Sequence, residues 1–171
     1  MSPASPLRMT NERPSAPRRR KHTRLAPALY ACPGAICSVT AATLRRRPVF
    51  AEPALARSTV TVLRERANIT GVPVYAYCVM PDHVHLVLGP SASCDIITFV
   101  GQFKNLAQRA AWDLGVKGRI WQTGFFDHFL RREEDLEDVV GYVLGNAVRA
   151  GLAETPAGYE FSGSLMFDLK H

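Results

Sequence analysis

Residues 72–88 read VPVYAYCVMPDHVHLVL. The first half, Val72 to Val79, is dense in β-branched and aromatic residues, and Pro81-Asp82 breaks it with a turn. A second apolar run, His83 to Leu88 (HVHLVL), alternates until Gly89 and Pro90 stop it. Two such runs around a turn read as a hairpin of buried strands. In a strand, successive side chains point to opposite faces, so His83 and His85 share one face and Val84 takes the other. Their Cα atoms then lie roughly 6.6 Å apart, close enough for both imidazoles to converge on one ion.

The flanking sequence supplies a partner on each side of the hairpin. Upstream, Leu29 to Thr40 reads as a first strand, Arg45-Arg46-Arg47 as a loop, and Pro53 as the first turn of a helix. Leu55, Thr59, Val60, Leu63 and Ala67 recur at helical spacing along that helix. Downstream, a long helix is expected from about Cys94 to Leu114. Ile96, Phe99, Val100, Phe103, Leu106, Ala107, Ala110 and Leu114 form its apolar face, and Gly115 closes it. Gly124 to Leu130 (GFFDHFL) reads as another strand. The last helix opens on Glu133, Glu134 and Asp135, acids suited to the positive end of its dipole. Leu136, Val139, Val140, Val143 and Ala147 form its stripe, and Arg149 and Gly151 end it. The order strand, helix, strand, strand, helix, strand, helix suggests a ferredoxin-like α+β sandwich, an antiparallel sheet with helices packed on it.

The chain has 171 residues and a formal charge of +6. Residues 1–24 carry Arg8, Arg13, Arg18, Arg19, Arg20, Lys21 and Arg24 against Glu12, so the whole excess lies in this arm and the rest is balanced. Rich in Pro, Ser and Arg, the arm is expected to be disordered, ahead of one catalytic domain over residues 25–171. A basic arm on a neutral body points to a polyanion, nucleic acid before membrane. Cys32, Cys37, Cys78 and Cys94 form no CxxC pair and read as reduced thiols of a cytoplasmic protein. The charge-free stretch Leu25–Leu44 contains Pro27, Pro33 and Gly34, which is poor for a membrane span, and it begins too late for a signal peptide.

Two histidines do not complete a metal site. Asp82, Asp127, His128, Asn146 and the acids of the last helix are all candidates for a third ligand, and spacing does not choose among them. The bland alternative is a pair of satisfied histidines near a strand end. Tyr142 and Asn146 lie one turn apart on the last helix, bordering its apolar stripe. From spacing alone that pair reads as structural, a packed ring beside a hydrogen-bonded amide. A tyrosine beside a metal has another use, because a phenolate can form a covalent phosphoryl intermediate. No GxxxxGK[ST] loop, GxGxxG fingerprint or GxSxG elbow occurs, so nucleotide-driven, dinucleotide and serine-hydrolase chemistry find no support.

YAYCVMPDHVHLVL (Tyr75 to Leu88), IWQTGFFDHFLRREEDLEDVVGYVLGNAVRAGL (Ile120 to Leu152) and RRRPVFAEPAL (Arg45 to Leu55) together resemble the HUH-type single-tyrosine transposases. In detail they are most similar to the REP-associated tyrosine transposases of bacteria, over roughly residues 28–165. The resemblance implies a ferredoxin-like fold and a divalent metal, Mg2+ or Mn2+, on His83 and His85. It makes Tyr142 the nucleophile and Asn146 the amide that completes the metal site, reversing the structural reading of that pair. The implied reaction cleaves and rejoins single-stranded DNA, at hairpin-forming repeats, through a 5′-phosphotyrosine. Many relatives carry Tyr where this chain has Phe126, and Asn-Pro where it has Asn146-Ala147. The same resemblance leaves monomer and homodimer both open.

Arg45, Arg46, Arg47, Lys104, Arg109, Arg131 and Arg132 are the nominated phosphate contacts, with a solvated surface charge as the alternative for each. Trp112, Trp121 and Phe125 are candidates for stacking on unpaired bases, although core packing explains them equally well. Two rival functions remain at this stage. One is a domesticated protein that binds DNA hairpins without cutting them. The other is a hydrolytic metal-dependent nuclease in which water replaces the tyrosine.

Overall fold

The computed structural model describes residues 26–131 and 134–168; the basic arm and Arg132 lie outside the described residues. The hairpin forms as its alternation requires, with β2 (Val74–Met80) antiparallel to β3 (His83–Leu88). Met80 lies opposite His83, and Cys78 opposite His85. On the other side of β3 runs β1 (Cys37–Ala42), which sets Thr40 opposite His85, and β4 (Phe126–Phe129) pairs with β1. A two-residue strand, β5 (Ser162–Gly163), adds to the outer edge of β2, giving the order β4-β1-β3-β2-β5. Without β5 this is the ferredoxin-like arrangement, every pair antiparallel.

Strand alternation divides the sheet into two faces. Cys37, Val39, Ala41, Val84, Leu86 and Leu88 meet two long helices, α2 (Pro53–Thr70) and α3 (Ile96–Asp113), in the larger core. The helix starts are built as the sequence implies. Pro53 opens α2 behind Glu52, and the Asp95 carboxylate accepts from the Thr98 N–H at 2.8 Å to cap α3. The opposite face carries Ala76, Cys78, Met80 and Val87, which meet Val140, Val143 and Ala147 in a smaller core. Those three belong to α4 (Leu136–Leu144) and α5 (Asn146–Arg149). His83 and His85, in alternation with Val84 and Leu86, therefore face the α4–α5 side.

Phe103 is fully buried on α3 and packs against Trp121 with ring centroids 6.1 Å apart. Truncation of Phe103 to Ala is expected to cost about 3–5 kcal/mol, through lost burial and the cavity left behind. A denaturant midpoint unchanged from wild type would contradict this assignment of the core.

Three expectations change. The first strand begins at Cys37 rather than Leu29, because Pro33 offers no N–H for a ladder; instead Pro27–Tyr30 makes one helical turn, α1. From that turn, buried Tyr30 donates to Asp127 Oδ2 at 2.8 Å and meets Phe129 edge-on, fastening the start of the fold to β4. On α3, Ala111 is buried and Leu114 is half exposed, since the helix ends at Asp113. The last helix kinks at Gly145, while the Gly145 and Arg149 N–H groups bond across the kink to Gly141 and Gly145.

The tail supplies an element that local pattern did not reveal. Its strand β5 passes so close to Tyr77 that a Cβ at position 163 would sit 2.9 Å from the phenol oxygen, which requires Gly163. The Tyr159 hydroxyl donates to the Val79 carbonyl at 2.8 Å, and Arg57 pairs with Glu160 at 2.8 Å. Among the described residues, no helix is long and apolar enough to cross a membrane.

Candidate active site

The two imidazoles on β3 face each other, with Nε2 atoms 2.9 Å apart and rings nearly perpendicular at 87°. Both remaining ring nitrogens are taken. His83 Nδ1 is 2.6 Å from Asp82 Oδ1, and His85 Nδ1 is 3.0 Å from the Thr40 hydroxyl on the neighbouring strand. Oxygen partners on both Nδ1 atoms orient the rings, and the two Nε2 atoms share a hydrogen bond that an ion bound between them would replace, with the Nδ1 partners as its outer shell. Asp82 also meets Arg46 at 3.3 Å. Burial works against the Asp82 carboxylate, but the His83 hydrogen bond, with the charges of His83 and Arg46, outweighs it and holds its pKa below the usual value.

Burial, followed by the positive charges of His83, Arg149 and Arg46, lowers the His85 pKa to about 4. The neutral imidazole that a metal needs is thus present throughout the physiological range. The same shift fixes a pH dependence for metal-free protein. Below the ordinary imidazole pKa of about 6.5 the unfolded chain binds a proton that folded His85 refuses, so stability falls as pH drops from there to about 4. The loss should approach 3 kcal/mol at most. Comparing denaturation midpoints at pH 7 and pH 4.5, His85→Gln should show a shallower drop than wild type. Equal drops would contradict it.

Among the described residues no group of three His, Cys, Asp or Glu side chains is arranged to hold a metal ion. Any third protein ligand for an ion on the imidazole pair would, among the described residues, be of another kind. Cys78, next to His85 across the ladder, is unsuited because burial pushes its thiol up to about 11 and keeps it protonated. Cys78 and Ala147 pack in the same smaller core, so α5 lies over the neighbour of His85, and Asn146 is its first residue. Asp127 faces the other core and holds Tyr30, while His128 pairs with Glu134 at 3.0 Å. Of the candidates left open by spacing, Asp127 and His128 are thus engaged elsewhere, while Asn146 stands on the helix that covers the histidine face.

Tyr142 is distinguished by exposure. Tyr30 and Tyr77 are buried, Tyr75 and Tyr159 are partly buried, and Tyr142 alone of the five tyrosines is mostly exposed, at 61%. Burial also raises the Tyr159 phenol to about 12. The Arg149 guanidinium lies 4.1 Å from the centre of the Tyr142 ring, donates to the Tyr142 carbonyl, and reaches Asn146 Oδ1 at 2.9 Å. Sequence reading assigned Arg149 only to the helix end; its spacing of seven residues from Tyr142 and three from Asn146 is the helical signal that would have found it.

The nominated basic residues separate. Arg46 pairs with the carboxylate that holds His83, and the turn bearing Arg45, Arg46 and Arg47 follows Thr43, whose N–H bonds the Asp82 carbonyl at 2.9 Å. Arg45 and Arg46 both adopt left-handed backbone, at φ 56° and 55°, an unfavourable conformation for such side chains. Lys104 donates to the carbonyls of Gln122 and Gly124 at 2.8 and 2.5 Å, tying down the segment before β4. Arg109 is exposed on α3, which covers the opposite face of the sheet, and Arg131 is exposed just after β4. Trp121 is a core residue against Phe50 and Phe103, and Phe125 packs beside the same core. Trp112 is exposed, with its indole N–H on the Gly118 carbonyl. Phe126 is half exposed opposite Thr40 on the histidine face. A cavity of about 640 Å³ lies elsewhere, between Arg64, Tyr77, Leu144 and Phe167, and among the described residues no histidine borders it.

Residues 35–146, from just before β1 to Asn146, match the family described as transposase IS200 like. The chain belongs to the IS200-like transposase family. Among relatives of this IS200-like transposase is the REP-associated tyrosine transposase of Escherichia coli K12, 27% identical over 90 residues that cover 52% of each chain. A provisionally named REP-associated tyrosine transposase of Haemophilus influenzae Rd is 26% identical over 98 residues, 51% of this chain and 56% of that protein. The chain thus spans about half the length of the curated relatives it matches. A solved REP-associated tyrosine transposase bound to a REP hairpin superimposes with a TM-score of 0.59 at 22% identity, covering 75% of this chain and 76% of that one. That likeness establishes a common fold.

Proposed function

We propose that this IS200-like transposase cleaves and rejoins single-stranded DNA through a 5′-phosphotyrosine on Tyr142, at hairpin-forming repeats, with a divalent metal on His83, His85 and Asn146. The observation that carries the reading is the histidine pair itself: two Nε2 atoms converge, each ring held from behind by an oxygen, under the helix that bears an exposed tyrosine. Two imidazoles and one amide oxygen leave the other positions to water and phosphate oxygens, a mixed set that suits Mn2+ better than Mg2+, which favours an all-oxygen shell. When bound, the ion would polarise a DNA phosphate and offset charge on its oxygens.

The protein residues have separate tasks. Asp82 and Thr40 hold the imidazoles in the tautomer that presents Nε2. The Tyr142 oxygen bonds to phosphorus as the bond to the 3′-oxygen breaks, and the phenol proton leaves for that oxygen, giving a 5′-phosphotyrosine and a 3′-hydroxyl. Attack by a second 3′-hydroxyl reverses the exchange and joins the strands. One phosphodiester replaces another, so no nucleotide energy source is needed. Arg45, Arg46 and Arg47 at the rim suit phosphates of the bound strand. The hairpin target is supported by the solved neighbour, which holds a REP hairpin.

The test uses labelled single strands from the DNA flanking the gene, with Mn2+ or Mg2+, on denaturing gels. A metal-dependent band in which label travels with protein is the expected result. Cleavage without that band would replace the tyrosine with water, and tight hairpin binding without cleavage would make the protein a binder.

A further inference from the structure

Arg149 makes three contacts that would be redundant if it served only the helix end. Its guanidinium covers the Tyr142 ring at 4.1 Å, donates to the Tyr142 carbonyl and donates to Asn146 Oδ1 at 2.9 Å. The path is open only because position 145 lacks a side chain: a Cβ there would sit 2.7 Å from Arg149 Nη1. The Asn146 amide nitrogen is itself engaged, on the Val143 carbonyl at 3.2 Å, which turns the amide oxygen toward the arginine. Arg149 also lies near enough for its charge to act on His85.

We infer that Arg149 is a positioning residue that holds Tyr142 and Asn146 in register and competes with the divalent ion for the Asn146 oxygen. The inference rests on the metal site proposed above. A carbonyl oxygen has two lone pairs, but a guanidinium and a dication on one oxygen repel each other strongly in a partly buried setting. Metal uptake therefore requires Arg149 to loosen from Asn146. The stacking contact with Tyr142 is independent of that oxygen and remains. The resident arginine thus lowers metal affinity and keeps the nucleophile ordered, two effects that removal of the side chain would separate.

The experiment measures Mn2+ affinity from the loss of free-ion electron paramagnetic resonance, and single-turnover adduct formation at saturating Mn2+, for wild type and Arg149→Gln. Arg149→Gln is expected to bind Mn2+ about tenfold more tightly, since a unit charge is removed beside the ion, and to form adduct about 100-fold more slowly. A side chain that merely supports the fold would lower both. Gly145→Ala is the second variant, and its new methyl should displace the guanidinium while keeping its charge. The Gly141 carbonyl 3.2 Å from that Cβ must give by a few tenths of an ångström. This variant should also bind Mn2+ more tightly, by a smaller factor. Unchanged or weaker Mn2+ binding in a folded Arg149→Gln overturns the competition while leaving the metal site standing. Absence of Mn2+ binding in wild type overturns the metal site and the inference with it.

Discussion

Tyr142→Phe protein, given labelled single-stranded DNA and Mn2+, is expected to form no covalent adduct and to cleave at least about a thousandfold more slowly than wild type. The substitution removes one oxygen from a ring that is 61% exposed, and the ring contact with Arg149 survives. Its effect on stability should stay within about 0.5 kcal/mol, so lost activity will not reflect unfolding. No other tyrosine is placed to substitute. Tyr30 is engaged with Asp127, Tyr77 with Arg64, and Tyr159 with the Val79 carbonyl, while Tyr75 packs against Phe167. Phe126 lies on the histidine face, but a phenyl ring has no nucleophilic oxygen. An adduct that persists in Tyr142→Phe would remove this residue from the mechanism.

The second large effect is expected at His85. His85→Ala should abolish measurable Mn2+ binding and, with it, metal-dependent cleavage, because only the Nε2 of His83 and the amide oxygen of Asn146 would remain to hold the ion. Thr40→Val, which removes the oxygen behind His85 without touching the nitrogen that faces the ion, should weaken binding by about 10- to 100-fold. Calorimetric titration of Mn2+ into the three proteins checks this graded series. If His85→Ala binds Mn2+ as wild type does, the ion is held elsewhere.

The hairpin was legible in the residues because strand alternation is local: HVHLVL puts both histidines on one face in any sheet that buries Leu86 and Leu88. The two long helices were legible for the same reason, with Pro53 and the apolar period inside their own segments, although the second starts at Ile96 behind an Asp95 cap rather than at about Cys94. Family resemblance then assigned Tyr142 and Asn146, for which spacing by itself favoured a structural role. The resemblance could not say how those residues meet the histidines.

Their placement depends on contacts distant in sequence. Ala147 brings the start of α5 against Cys78 in the smaller core, and Cys78 neighbours His85 only through the β2–β3 ladder. Lys104 and Trp121 carry a charge and a ring that suited DNA contact on paper, yet one holds backbone carbonyls and the other fills the core. Arg149 reaches Tyr142 and Asn146 along one helix face, and Gly145 leaves the path of its guanidinium open. The sequence by itself determined the β2–β3 hairpin, the two long helices and the face on which the histidines stand, since those follow from local periodicity. Only the tertiary structure decided what lies across from that face, because long-range packing, which no local pattern encodes, brings residues from three strands and a kinked helix together.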